Sequence, residues 1–383
     1  MAVHLLITDE NLAVQGDPLD GWTNLDATKR HNEPGSGSVD LPARPDIMAQ
    51  LQPGNRLVVI RDGAVWMAGP MEIPTDYTWS VTEEPHGKVT VSFADDLATV
   101  AGYITWPAPA SAWTAQPANT YRTLNTNAET IIRALVGENC GPGALVERRI
   151  PRLALGAPAG VGTATTLSTR FEPLLDVCRR IALAGGIGFR TQQTAGQILF
   201  DCYQPRDLTA TARFSQGLGN LRSLQFKRSA PTVTHALIAG TEPDIGTTGR
   251  TYVQVADTSA AAMWWRVERY VDGSAQTDGN GELTQAGTEE TAGGAAPVEL
   301  ATVTVDTPDL KAGRDFDLGD KVTVALPFGV EVADLVRSIR LQATPEAGEY
   351  VTTLVGSPDA TTDPAMVKAI RTLSRRLGRL ESR

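Results

Sequence analysis

The sequence predicts a mainly β protein with an α+β insertion: two β-barrel domains flank a smaller mixed module, and a helix closes the chain. Three observations predict it. The stretch PGNRLVVIRDGAVWMAGPMEI at 53–73 returns in altered form as LGDKVTVALPFGVEVADLVRSI at 318–339. Gly54, Leu57, Val59, Gly63 and Ile73 line up with Gly319, Val322, Val324, Gly329 and Ile339, with one extra residue before the second glycine, as expected of a duplicated β-hairpin. Strand-like alternation fills both ends of the chain, whereas helical periodicity is confined to the middle and the last residues.

Residues 1–106 read as the first β-barrel domain. LVVI at 57–60, VWMAG at 65–69 and VTVSF at 89–93 are bounded by Pro, Gly and Asp, and RDG at 61–63 signals a tight turn. Pro107–Tyr121 is a Pro/Ala-rich connector without periodicity, where a domain boundary is expected.

Residues 107–217 form the inserted α+β module. Asn127 is placed to cap a helix with Ile131, Ile132, Leu135 and Val136 on one side and Gly137 at its end. A second helix follows Ser168 or Thr169: Pro173 stands in its first turn, Leu174, Val177, Cys178 and Ile181 form its stripe, and Gly185-Gly186 stops it. Ile187–Tyr203 then reads as a hairpin.

Residues 218–358 return to strands, namely HALIAG, TYVQV, ATVTV, DKVTVAL, LVRSIRL and YVTTLVG. The Gly-rich polar stretch 273–296 is expected to be a loop within this second β-barrel domain.

The tail 361–383 carries a heptad seam. Asp363 and Pro364 open a helix in which Met366, Ile370, Leu373, Leu377 and Leu380 recur at alternating spacings of four and three. So narrow a stripe suits self-association, and a helix of this length needs the preceding domains to hold the oligomer. The alternative is a helix folded back on its own domain. Six basic residues between 364 and 383 stand against Glu381 alone, so charge is segregated at this end.

Composition sets bounds on function. The chain of 383 residues is long enough for several domains, and 42% hydrophobic against 20% charged residues is the balance of a folded protein. A net charge of −10 argues against a general nucleic-acid binder. Cys140, Cys178 and Cys202 are odd in number and lack metal-ligand or C-x-x-C spacing, so reduced thiols are expected, Cys178 in a helix core and Cys202 on a strand. No signal peptide and no membrane span are expected from the sequence.

Motifs for catalysis are missing. The four histidines, His4, His31, His86 and His235, show no metal spacing, and His235 reads as a structural strand residue. No nucleophile elbow, Walker loop or dinucleotide fingerprint occurs. The adjacent acids Glu83-Glu84, Asp95-Asp96 and Glu289-Glu290 read as surface or capping residues. DGNGELTQAGTE at 278–289 has oxygen ligands at positions 1, 3, 5 and 12 of a calcium loop, but Leu283 stands where that loop needs glycine. No catalytic, metal or cofactor residue is therefore assigned. Trp264 and Trp265 are the residues that could serve a ligand or an interface.

EPGSGSVDLPA at 33–43, LVVIRDGAVWMAG at 57–69, AETIIRALVGENC, FEPLLDVCRRIALAGGIGF and LGDKVTV together resemble the tail-hub proteins of long-tailed, especially actinobacterial, bacteriophages. The resemblance spans nearly the whole chain and rests on fold signatures. It implies a homotrimer with two tube-like β-barrels per chain, joining a sixfold tail tube to a threefold tip in the virion. The implied partners are tail-tube or distal tail proteins and tip or fibre proteins, with phage DNA passing without sequence-specific binding. Some hubs of this kind carry a peptidoglycan-cleaving domain, which has no counterpart among the motifs here. A receptor- or glycan-binding tail protein using Trp264 and Trp265, or a cell-wall hydrolase, are the alternatives.

Overall fold

The computed structural model describes residues 3–356 apart from 73–75, 81–85, 195, 229, 242–248, 274–277, 280, 296–297 and 328. The tail seam Met366–Leu380, Glu83-Glu84 and the repeat position Ile73 lie outside the described residues. The chain begins with β1 (Val3–Thr8), β2 (Asn24–Arg30), β3 (Glu33–Pro42), α1 (Pro45–Gln50), β4 (Arg56–Arg61), β5 (Ala64–Pro70), β6 (Asp76–Thr78) and β7 (Lys88–Ala94). Alternation directs their side chains: Val89, Val91 and Phe93 of β7 are buried while Thr90 and Ser92 are half-exposed. In β4, Leu57, Val58 and Val59 are all buried because both faces of that strand are covered.

The middle module comprises α2 (Leu97–Ala101), β8 (Arg122–Asn127), α3 (Ala128–Asn139), β9 (Leu153–Leu155), β10 (Ala164–Thr169), α4 (Leu174–Gly185), β11 (Gly188–Thr194) and β12 (Gln197–Tyr203). Asn127 caps α3 as expected, its Oδ1 accepting from Thr130 N–H at 2.9 Å. The helix continues past Gly137 to Asn139. Gly137 serves there as a close-packing residue, since a Cβ would stand 3.1 Å from Leu155. Gly186 ends α4 in the left-handed conformation, with φ +65°. Ile131, Leu135, Val177, Cys178, Ile181 and the stacked Phe189 and Phe200 give this module its own core.

The remainder contains β13 (Arg213–Ser215), β14 (Leu221–Arg228), β15 (His235–Ala239), β16 (Tyr252–Ala256), α5 (Thr258–Met263), β17 (Glu268–Asp272), α6 (Glu282–Gly293), β18 (Val298–Val305), β19 (Lys321–Ala325), β20 (Glu331–Thr344) and β21 (Gly348–Val355). Two expectations are corrected here. The supposed polar loop at 273–296 contains helix α6, opened by Asp278, whose Oδ1 accepts from Leu283 N–H and Thr284 N–H. Residues 218–358 are also not one domain: β15, β16 and β17 form a separate sheet whose small core joins Val233, Ala236 and Ile238 to Leu283 of α6.

The two β units at the ends of the chain are not separate barrels, and none of the described sheets closes. A ten-stranded sheet runs β14-β18-β21-β20-β2-β3-β7-β6, with β19 on β20 and β13 on β19. Leu25, Val39, Leu57 and Phe93 of the first unit share a core with Phe214, Phe316, Val322 and Leu341 of the second. The physical reason is the length of β20: Glu331–Leu335 pairs with β19, and beyond a bulge Ser338–Ala343 is free to pair with β2 as well as β21.

Candidate assembly surfaces

The repeated glycines occupy matching turns. Gly54 and Gly319 have φ of +87° and +83°. Each stands third in a four-residue turn, closed by Asn55 N–H to Gln52 O at 3.1 Å and by Asp320 N–H to Asp317 O at 3.2 Å. Each turn launches a strand, β4 in one case and β19 in the other. Gly63 and Gly329, at φ +80° and +83°, lie in the hairpin turns that follow.

Strand order repeats as well. In the first unit the order is β2-β3-β7-β5-β4-β1, the β7–β5 contact being made by the Met71–Phe93 bridge and Glu72 N–H to Ser92 O. In the second it is β14-β18-β21-β20-β19-β13. Reading each unit from its first strand to its last gives the same permutation. Two differences separate them: β1 runs antiparallel to β4, whereas β13 runs parallel to β19, and the first unit has the short separate strand β6 on β7 where the second has one long strand, β20.

A seam joins the units. Leu25–Arg30 of β2 pairs antiparallel with Ser338–Ala343 of β20, burying Leu25, Ala27, Leu341 and Ala343. On the outer face Arg340 Nε donates to Asp26 Oδ1 at 2.8 Å. The turn after β2 then reaches into the other parts. His31 N–H donates to Arg337 O, and its Nδ1 lies 2.9 Å from Tyr203 Oη of the middle module. Asn32, at φ +55°, accepts from Phe189 N–H through its side chain and from Arg179 Nε through its carbonyl. Burial, helped by Arg337 and opposed by Asp320, lowers the His31 pKa to about 4, so this joint is built around a neutral imidazole.

Beside the joint lies a cavity of about 350 Å³ bordered by Lys29, Trp66, Asp95, Arg190 and Asp317. The Lys29 ammonium sits 4.8 Å from the Trp66 ring centroid, and burial depresses its pKa. Burial raises Asp95 to about 6, while its two oxygens accept from Gly35 N–H and Leu97 N–H. Asp96 forms a buried pair with Arg56 at 2.6 Å. These neighbouring acids thus bind backbone and guanidinium groups. Arg190 and Asp317 approach at 3.6 Å, linking the module to the second unit.

The other candidate residues stand apart. His235 Nδ1 lies 3.1 Å from Oγ1 of Thr234, the residue just before its strand. The three cysteines are free and buried, and burial pushes Cys140 and Cys202 up to about 12 and Cys178 well above the ordinary thiol value. No group of three or more His, Cys, Asp or Glu able to hold a metal occurs among the described residues. Trp264 and Trp265 meet edge to face at 5.8 Å after α5, and Trp265 is 55% exposed. No described helix is long and apolar enough to cross a membrane.

The profile of the family described as Siphovirus ReqiPepy6 Gp37-like protein matches residues 4–357. No curated protein matches the sequence. Among solved structures, the 43 kDa tail protein of prophage MuSo2 from Shewanella oneidensis is similar at TM-score 0.58 and 15% identity, over 94% of this chain and 100% of that one. The tail protein from Neisseria meningitidis MC58 is similar at 0.57 and 12%, over 93% and 96%. Prophage tail protein gp18 from Listeria monocytogenes EGD-e is similar at 0.51 and 10%, over 98% and 99%.

Proposed function

The chain belongs to the Siphovirus ReqiPepy6 Gp37-like family and shares the fold of phage tail proteins, and from that premise we propose that it is a tail component of the phage virion, a trimeric tail hub joining a sixfold tail tube to a threefold tip. The observation that carries this reading is the duplicated unit: one strand permutation used twice and joined side to side through β2 and β20. Three such chains present a pseudo-sixfold ring toward the tube and a threefold face toward the tip. Contacts between unlike surfaces close into a ring when the rotation between neighbours divides the circle.

The heptad spacing of Met366, Ile370, Leu373, Leu377 and Leu380 in the sequence suits self-association of this kind. A net charge of −10 suits a channel wall from which DNA phosphates are repelled. The role is structural, with tail-tube and tip proteins as partners. Sedimentation of the purified full chain tests it. A species of three chains is expected, and a monomer at micromolar concentration that no tail-tube protein assembles would overturn it.

A second reading is favoured by the small inserted sheet. Its face away from α6 exposes Leu237, Tyr252 and Tyr270, and Trp265, three positions before β17, is exposed as well, as in a ligand-binding platform. Glycan binding abolished by Trp264→Ala and Trp265→Ala would support it, and equal binding by the variants would dismiss it.

A further inference from the structure

Among the described residues the main path of the ten-stranded sheet ends in two unlike edges, β14 on one side and β6 on the other, while β13 ends the branch through β19. An unpaired edge presents a row of unsatisfied N–H and C=O groups and calls for a partner or a cover. The internal seam supplies the template. Burial in β7 and β21 matches residue for residue, with Val89, Val91 and Phe93 in the places of Val351, Thr353 and Val355. Asp76 lies opposite Thr90 just as Arg340 lies opposite Thr352, and Tyr77 opposite Val89 just as Leu341 lies opposite Val351. On the other side, Ala27 reaches Phe93 through Gly37, and Leu224 reaches Val355 through Thr302. Asp26 therefore corresponds to Ser223, beside which Arg222 is the extra residue of a bulge.

Two consequences bear on what covers these edges. Where the seam sets Asp26 against Arg340, the two edges carry Arg222, next to the Asp26 position, and Asp76, at the Arg340 position, so opposite charges again face each other with their signs exchanged. Both are exposed, and neither has a charged partner among the described residues. Leu341 is fully buried by the seam, whereas Tyr77, its counterpart, is 53% exposed and is followed by the equally open Trp79.

We propose that β14 of one copy of this chain pairs antiparallel with β6 of a second copy, repeating the β2–β20 seam between chains, with Arg222 against Asp76 of the second copy. This deepens the ring reading and rests on it. The pairing converts both of these edges into ladder hydrogen bonds and covers Tyr77.

The test uses the full chain carrying Arg222→Asp, Asp76→Arg or both, with sedimentation as the readout. Each reversal alone places like charges together and weakens association several-fold; the double reversal restores it. A second variant, Ser223→Cys with Thr78→Cys, places thiols at the positions of Asp26 and Gln342, which are direct partners in the seam. Mild oxidation is expected to give interchain disulfides absent from either single variant. An oligomer that persists unchanged in both single reversals and does not cross-link would overturn the β14–β6 contact while leaving the trimer standing. Monomers throughout would overturn both.

Discussion

Arg340 donates a hydrogen bond to Asp26 across 314 positions of sequence, at 2.8 Å, and so marks the line along which the two halves of the chain become one sheet. The pair lies on the outer face, with side chains 48% and 26% exposed. Exposed pairs of this type contribute about 0.2–1 kcal/mol. Beneath it Leu341 and Leu25 are fully buried, and truncating such a residue costs roughly 2–5 kcal/mol. A double-mutant cycle on Asp26→Ala and Arg340→Ala, followed by urea unfolding, should give a small coupling, whereas Leu341→Ala should lower stability several times more. The reverse order would mean that the ion pair, and not apolar burial, holds the seam.

Gly54 and Gly319 share a turn but not surroundings. A Cβ at Gly54 meets nothing within 4 Å, while one at Gly319 would stand 2.6 Å from the His31 ring. Alanine at Gly54 should cost about 1–2 kcal/mol, the strain of a left-handed L-residue. Alanine at Gly319 should cost distinctly more, because the imidazole must also move. Equal losses in thermal or urea unfolding would refute the close packing of this joint.

The joint also makes a prediction about acid. His31 titrates near 4 when folded against an ordinary value near 6.5, so the folded state binds fewer protons in that window. Its contribution is present above about 6.5 and is lost as pH falls toward 4. Asp95 acts in the opposite sense: raised to about 6, it contributes below its ordinary value of 3.8 and loses that contribution as pH rises through 6. The two therefore offset each other between about 4 and 6. In His31→Asn the opposing His31 trend is removed, and stability should fall with rising pH across this window more steeply than in the native sequence. An unaltered slope would show that His31 is not held neutral.

Thiol chemistry gives a direct measure of burial. In the native protein Cys140, Cys178 and Cys202 should resist alkylation, and unfolding in guanidinium without reductant should expose three reactive thiols by intact mass. A disulfide, or rapid native labelling of Cys178, would contradict the packed core of the middle module.

Local signals in the sequence carried far in some places. Asn127, Pro173 and Gly186 announce the ends of α3 and α4, alternation locates β7 and β21, and the unbroken apolar run LVVI locates β4. Helix α6 stayed hidden because its sequence, ELTQAGTEETAG, has few apolar residues: only Leu283, Gly287 and Thr291 are buried, with Gly287 tucked against Val255. The separation of the small core was equally silent, since the strands of β15–β17 look like those of the larger sheet. The seam could not be read at all. β2 is NLDATKR, in which only Leu25 and Ala27 face the core, and its pairing with a strand so distant depends on the fold and not on local pattern. The turn glycines pointed to the duplication, but the order of its strands emerged only in three dimensions.

Electron microscopy of the purified full-length assembly in projection down its axis tests the hub most directly. Three chains forming a ring of six similar β units, with the inserted modules repeating threefold around it, is the expected image. A ring with one β unit per repeat and six chains, or particles the size of a single chain, would contradict it.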